Sequence, residues 1–216
     1  MDTKELVAGF RQVATASVAD AVDKIAGRGG FLPSTIKPRI NDKKIVGPAV
    51  TILEGPTDEF LPPQHALDAI DEAEEGSIIV ISTNGTTEVA LWGGLMTAGA
   101  VANKHEAAVL DGGVRDLVEI KRDYDFPVYS REVSPGTTLG RIKTLSANTE
   151  ISMGNVIVHP GDIVVGDVDG VVIVPRDHAE AVLEMSQEID EREAEQAKLI
   201  IANGSLRDGL AKYGRI

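Results

Sequence analysis

One feature of this sequence restricts its fold more than any other: the middle third alternates short apolar runs with helical ones. Residues 77–82, SIIVIS, are too few for a helix and apolar almost throughout, the mark of a strand covered on both faces. Gly93 and Gly94 then precede an alanine-rich helix over residues 95–104, and a strand follows over 107–110. Asp111-Gly112-Gly113 reads as a turn, residues 117–122 as a short helix, and the surroundings of Val128 as another strand. Strands separated by helices need crossover connections, so this region predicts a parallel layer with helices packed on it.

The flanks follow other rules. Apolar residues recur at Leu6, Phe10 and Val13, then at Val18, Val22 and Ile25, a helical spacing broken near Thr15 that predicts two short helices. The second is expected to start at Ser17, with Asp20 completing a capping box, and to end at Gly27-Arg28-Gly29-Gly30 before a loop through Pro33 and Pro38. Residues 45–53, IVGPAVTIL, predict a strand in which Pro48 suggests an edge or a bulge. A polar loop over 54–63 and a helix over 66–74 come next. Between 142 and 175, strand runs are punctuated by Met153-Gly154-Asn155, Pro160-Gly161-Asp162 and Asp169-Gly170, all hairpin signals. Residues 177–202 predict one long helix, acidic in its middle, closed by Asn203-Gly204, with a last short helix over 206–213. A helix of roughly 25 residues extends ~37 Å, more than a compact domain of this size needs, which points toward another subunit. With no repeat in sight, the expectation is one domain over 1–216, with a C-terminal helical arm over 177–216.

Composition removes several classes of function. The 216 residues carry 34 Asp and Glu against 21 Lys and Arg, a formal charge of −13 that opposes general binding to nucleic acid or anionic membranes. Without cysteine there is no disulfide, thiolate-zinc, iron–sulfur or thiol-nucleophile chemistry. The N-terminal residues MDTKE open no apolar signal region and no run approaches a membrane span, so a cytoplasmic protein is expected. Neither G-x-G-x-x-G nor a phosphate-binding P-loop occurs, and the Gly27 run stops short of both. His65, His105, His159 and His178 form no close pair of the kind zinc sites use. Asp167-Val168-Asp169-Gly170 fits a hairpin turn better than a calcium loop.

Chemistry concentrates between Trp92 and Glu119. A Gly-Gly pair before a helix bares backbone N–H groups at the positive end of its dipole, so Gly93, Gly94, Leu95 and Met96 are candidates for binding a carboxylate or phosphate. Arg115 and Asp116 follow an apolar strand, where open α/β sheets place ligands. Arg115 offers a planar fork to a carboxylate or carbonyl oxygen. Asp116 is a hard oxygen ligand for Mg²⁺ or Mn²⁺, and Glu119, three residues further along a helix, can share its face and hold metal-bound water. The competing reading makes Arg115, Asp116 and Glu119 ordinary helix-start electrostatics, and Gly93-Gly94 only a tight turn.

Gly94, twenty residues, Arg115-Asp116, two residues and Glu119 together resemble the G-x20-R-D-x2-E/D signature of the family containing 4-hydroxy-4-methyl-2-oxoglutarate aldolase and the regulator of ribonuclease activity A. The stretches SVADA (17–21), ALWGG (90–94), DGGVRD (111–116) and HPGDIVVGDVDGVVIVP (159–175) extend the resemblance over nearly the whole chain. It implies an α/β chain with a swivelling β/β/α fold of mixed parallel and antiparallel sheets, assembled as a homotrimer or hexamer with sites at subunit boundaries. By position, the amides of Gly93 to Met96 and the Arg115 side chain would bind substrate, Asp116 would hold the metal and Glu119 would orient its water. An acidic residue from a neighbouring C-terminal region would also approach, with Glu191, Glu193 and Glu195 as candidates.

A pyruvate-forming aldolase stabilises an enolate through a lysine Schiff base or a divalent metal. Lys104 and Lys121 lie among charged residues and have no apolar pocket to lower their pKa, which favours the metal route. The expected activity is cleavage of a 4-hydroxy-2-oxo acid such as 4-hydroxy-4-methyl-2-oxoglutarate to pyruvate, with oxaloacetate decarboxylation through the same enolate. The alternative is an acidic, non-catalytic regulator that binds and inhibits a ribonuclease. S-adenosylmethionine-dependent methyl transfer is disfavoured, since no glycine-rich cofactor loop is present.

Overall fold

The computed structural model describes residues 1–85 and 88–214; the side chain of His65 lies outside the description. Helices α1 (Thr3–Phe10) and α2 (Thr15–Ile25) lead into the short strand β1 (Lys37–Pro38) and the long strand β2 (Ile45–Pro56). Then come α3 (Gln64–Glu72), β3 (Ile78–Ser82), β4 (Ala90–Trp92), α4 (Gly94–Ala102), β5 (Ala107–Val114), α5 (Leu117–Asp123) and β6 (Val128–Val133). Strands β7 (Ile142–Ala147), β8 (Ile151–Met153), β9 (Val156–Val158), β10 (Ile163–Asp167) and β11 (Gly170–Val174) precede the helices α6 (Ala179–Asn203) and α7 (Leu206–Tyr213).

Among the described residues one mixed sheet runs β1-β6-β5-β3-β2-β10-β11, with β4 added to β5 and β7 to β2. The pairs β2/β3, β3/β5, β5/β6 and β4/β5 are parallel, as the strand–helix alternation requires. The pairs β1/β6, β2/β7, β2/β10 and β10/β11 are antiparallel. All five residues of β3 are buried, and Ile79 and Ile81 pack into one apolar cluster while Ile78 and Val80 pack into another on the opposite face. Each such side chain contributes about 1.5–3 kcal/mol by leaving water. The expected α/β fold with a mixed sheet and a C-terminal helical arm is therefore what the chain forms.

The structure corrects five local expectations. Asp111-Gly112-Gly113 is strand, since β5 continues to Val114 with a register shift between Leu110 and Gly113. Glycine serves close approach there: a Cβ at Gly113 would sit 2.7 Å from the Val89 carbonyl oxygen, and one at Gly112 would sit 2.7 Å from Leu91. Ser17 caps nothing and is buried inside α2, which starts at Thr15 without a side-chain cap. Two tertiary hydrogen bonds fasten that helix start, from Ala14 N–H to Asp190 (2.9 Å) and from the Thr15 hydroxyl to Asp167 (2.6 Å).

Pro48 lies in an interior strand, between β3 and β10, away from the sheet edge. Ala49 N–H donates to Asp162 on the β10 side, so alternation turns the Pro48 nitrogen the other way, one residue before β2 meets β3 at Ala49 and Ile78. Residues 54–56 extend β2 past a bulge at Leu53/Glu54 and do not open the loop. Pro160-Gly161-Asp162 turns between strands that do not pair with each other, whereas β8/β9 and β10/β11 are true hairpins. Asp162 holds this corner by accepting the N–H groups of His159 and Arg176, each at 2.9 Å.

Helix α6 buries Ala179, Val182, Leu183, Ser186 and Ile189, then leaves its apolar footing, with only Gln196 buried further along among its described residues. Helix α7 folds back on it, Gly209 lying against Ile200 and Gln196. No helix among the described residues is long and apolar enough to cross a membrane.

Candidate functional site

Strand β5 delivers Arg115 and Asp116 to the carboxyl end of the parallel layer, where chain direction alone exposes side chains and leaves helix starts nearby. Arg115 N–H donates to the Trp92 carbonyl at 3.0 Å, which fixes the strand end against β4. Asp116 then adopts φ +60°, a left-handed conformation that aspartate tolerates better than most residues. It occupies the cap position of α5 but makes no side-chain bond to that helix. Its carboxylate turns instead to the start of α4 and accepts the Gly94 N–H at 2.9 Å.

The start of α4 is braced from within. Both the N–H and the hydroxyl of Thr97 donate to the Gly93 carbonyl at 3.0 Å, and the Trp92 indole N–H donates to the Thr97 hydroxyl at 2.8 Å. The Trp92 ring stacks on Phe126 with centroids 6.1 Å apart. Gly93 leaves room for both side chains, because a Cβ there would stand 2.8 Å from Asp116 Oδ2 and 3.2 Å from the Arg115 side chain and would displace them. With Gly94 N–H spent on Asp116, the first-turn amides of Leu95 and Met96 are left without carbonyl partners inside the helix, at the positive end of its dipole.

Arg115 Nε lies 3.7 Å from Asp116 Oδ2, and both side chains are more than 40% exposed, so this pair alone contributes little to stability. The two residues share a cleft of about 290 Å³ with Gly93, Gly94, Leu95 and Met96, closed elsewhere by Pro63, Leu67 and residues 137–139. The structure thus brings together six of the seven residues singled out by sequence. Glu119 is the seventh: it is exposed and lines an adjoining hollow, whose wall Arg115 and Asp116 also form. Glu191, Glu193 and Glu195 are exposed on the outer half of α6 and line neither hollow; Glu195 pairs with Lys198 at 2.6 Å.

Sequence reasoning missed the far wall. Leu67 and residues 137–139 come from segments remote in the chain, and no local pattern ties them to the Gly-Gly turn. Thr97 had a signal, its spacing four residues after Gly93, which suits a hydroxyl bonding back to a helix-start carbonyl.

Asp116 bears on a metal directly. Its Oδ2 is oriented by Gly94 while Oδ1 accepts no hydrogen bond among the described residues, so a residue that lines the cleft keeps one hard anionic oxygen uncommitted. No group of three or more His, Asp or Glu side chains converges as a full ligand set among the described residues. One or two carboxylates suit Mg²⁺, which keeps several of its waters, and the donor set fits an ion held in that manner.

The family model described as Aldolase/RraA matches residues 15–173. Over 186 residues the chain is 32% identical to a Halalkalibacterium halodurans protein provisionally named 4-hydroxy-4-methyl-2-oxoglutarate aldolase, covering 85% of this chain and 82% of that one. Over 192 residues, 88% of this chain, it is 34% identical to the protein DlpA of Legionella pneumophila, of whose length it spans 31%. The crystal structure of Streptomyces coelicolor RraAS2, described as an unusual member of the RNase ES inhibitor RraA family, superposes with a TM-score of 0.77. That likeness, at 22% identity over 91% of this chain and 96% of the other, shows the same fold.

Proposed function

The chain belongs to the Aldolase/RraA family, and from that premise we propose that it is a divalent-metal-dependent aldolase that cleaves 4-hydroxy-2-oxo acids to pyruvate. The observation that carries this reading is the Asp116 carboxylate, held 2.9 Å from Gly94 N–H beside the Arg115 guanidinium in one cleft. A fork for a carboxylate, a hard anionic oxygen and a helix start within one small volume are the parts that enolate chemistry needs.

Asp116 would hold Mg²⁺ or Mn²⁺, and Glu119, which lines the adjoining hollow, would orient a water of that ion. When bound, the ion supplies Lewis-acid stabilisation of the charge that develops on the 2-keto oxygen. Arg115 engages the substrate's carboxylate and keto oxygen through its planar fork. The amides of Leu95 and Met96 add fixed dipoles, and Gly93 and Gly94 provide the turn that presents them. Transfer of the C4 hydroxyl proton to a water or a nearby carboxylate lets the C3–C4 bond break, giving a carbonyl compound and pyruvate enolate, which takes that proton back at C3. Oxaloacetate loses CO₂ through the same enolate, so one site accounts for both activities.

The exposed outer half of α6 supports assembly as a homotrimer or hexamer, in which a neighbour's acidic residue completes the site. The test is pyruvate release from a panel of 4-hydroxy-2-oxo acids and from oxaloacetate. Release should vanish with excess chelator and return with Mg²⁺ or Mn²⁺. Undiminished turnover in chelator would contradict the metal route. No turnover, with inhibition of a ribonuclease by the purified chain, would instead favour the acidic-regulator reading that the −13 charge allows.

A further inference from the structure

Two helices flank the cleft: α3, which follows Pro63 and carries Leu67, and α4, whose first turn carries Gly94, Leu95 and Met96. His105 is bonded to both. Helix α4 closes in a Schellman turn, in which Lys104 takes the left-handed conformation at φ +57°. Its N–H returns to the Val101 carbonyl at 3.1 Å, and the His105 N–H to the Ala100 carbonyl at 2.9 Å. That turn fixes the His105 backbone on α4, while its ring reaches α3. Helix α3 becomes extended at Ala73, so the Ile70 carbonyl is among the last ones without a partner inside the helix. His105 Nε2 lies 2.7 Å from it, and because a carbonyl can only accept, Nε2 carries the proton and donates. The ring is 6% exposed and its Nδ1 finds no partner among the described residues, a desolvation cost that an aliphatic side chain would avoid. Asn103 adds a weaker tie between the helices, from Nδ2 to Asp71 Oδ1 at 3.5 Å.

We infer that His105 is a positioning residue, which fixes the spacing between the α3 wall of the cleft at Leu67 and the α4 start at Gly94 to Met96. The inference rests on the aldolase reading for the ligand, a 2-oxo acid held at Arg115, and adds the residue that sets the width of its cleft. Leu67 lies one turn before Ile70, and Met96 four residues before Ala100, so a shift at the tie travels along two helices to the cleft. Ile70 is 2% exposed. Without the His105 donor its carbonyl is left unpaired away from water, and α3 must move to satisfy it.

Calorimetric titration of the full-length chain with 2-oxoglutarate, Mg²⁺ present, tests this without turnover, since that acid has no C4 hydroxyl and is not cleaved by the proposed route. His105→Met, of similar bulk but without a donor, should weaken binding by on the order of 10-fold. His105→Gln, whose amide N–H replaces Nε2–H, should restore it. Mn²⁺ affinity should stay native in both, because the bond between Asp116 and Gly94 is untouched. A residue that only stabilised the fold would lower the melting temperature and leave binding at temperatures well below it unchanged. Should His105→Met fail to fold, His105→Asn, whose amide stops short of Ile70, takes its place. Native affinity in the donor-free variant, equal losses in it and in His105→Gln, or no binding by the native chain overturns the inference. Weakened binding that His105→Gln rescues, with no pyruvate release from any 4-hydroxy-2-oxo acid, would remove the aldolase reading and leave the positioning role standing.

Discussion

Asp116 accepts a hydrogen bond from Gly94 N–H at 2.9 Å, joining the end of β5 to the start of α4 across twenty-two residues of chain. The bond orients one carboxylate oxygen and leaves the other without a hydrogen bond among the described residues, so the helix start acts as a support for the side chain proposed to hold metal. The left-handed backbone at Asp116 makes this reach possible, because a residue in ordinary cap geometry would turn its carboxylate onto the first turn of α5.

Gly93→Ala tests that support. The added methyl would press on Asp116 Oδ2 at 2.8 Å and on Arg115 at 3.2 Å, so both groups must shift. Misplacing a catalytic group by about 1 Å can cost on the order of 10²-fold in rate. The expected result is a large loss of kcat/KM with a melting temperature close to native, measured by pyruvate release and by thermal unfolding. Equal loss of both would mark Gly93 as a folding position only.

Glu54 supplies a pH dependence independent of the site. It is 1% exposed on β2, one carboxylate oxygen has no partner and the other has only the Thr144 hydroxyl at 3.4 Å. Burial pushes its carboxyl from 4.5 up to about 7, opposed weakly by that hydroxyl. The folded chain therefore keeps a proton that the unfolded chain releases, so stability falls as pH rises from about 4.5 to about 7 and stays lower above. Glu54→Gln is neutral throughout and should flatten this slope, gaining on the native chain at pH 8 by on the order of 3 kcal/mol at most. Denaturant titrations at pH 5 and pH 8 measure it; parallel slopes for the two chains would contradict it.

Truncation after Asp190 separates the arm from the fold. The apolar buried face of α6 ends at Ile189, and Asp190 keeps its bond to Ala14 N–H, so the remaining chain should fold. What is lost is the exposed outer half of α6 together with α7. Light scattering should show a smaller assembly, and activity should fall with it; a fully active monomer would contradict subunit-boundary sites.

Much of this was legible in the chain. The buried run 78–82, the break between α1 and α2, and the closing α7 follow from apolar spacing alone. Strand-end logic drew attention to Arg115 and Asp116, and only the resemblance implied that they share a site with the Gly93-Gly94 turn; the four residues line one cleft. The failures share a physical cause. Asp111-Gly112-Gly113 has turn composition, but its glycines make room for Val89 and Leu91 inside a sheet, a demand set by partners distant in sequence. Ser17 looks like a cap because local rules cannot see Asp190 and Asp167 arriving from elsewhere. The leucines of the cleft wall were invisible for the same reason.

The most direct test of the account is Mn²⁺ affinity, measured on the native chain, Asp116→Asn and Arg115→Lys. Asparagine keeps the shape, tolerates the left-handed backbone and can still accept Gly94 N–H, so only the anionic ligand is lost. Asp116→Asn is expected to lose Mn²⁺ binding and turnover together. Arg115→Lys should bind Mn²⁺ nearly as the native chain does while losing ~10²- to 10³-fold in kcat/KM, as expected for the loss of one electrostatic contact to the reacting oxygens. Native Mn²⁺ affinity and retained turnover in Asp116→Asn would contradict it, and would reduce Arg115 and Asp116 to a surface ion pair at the start of a helix.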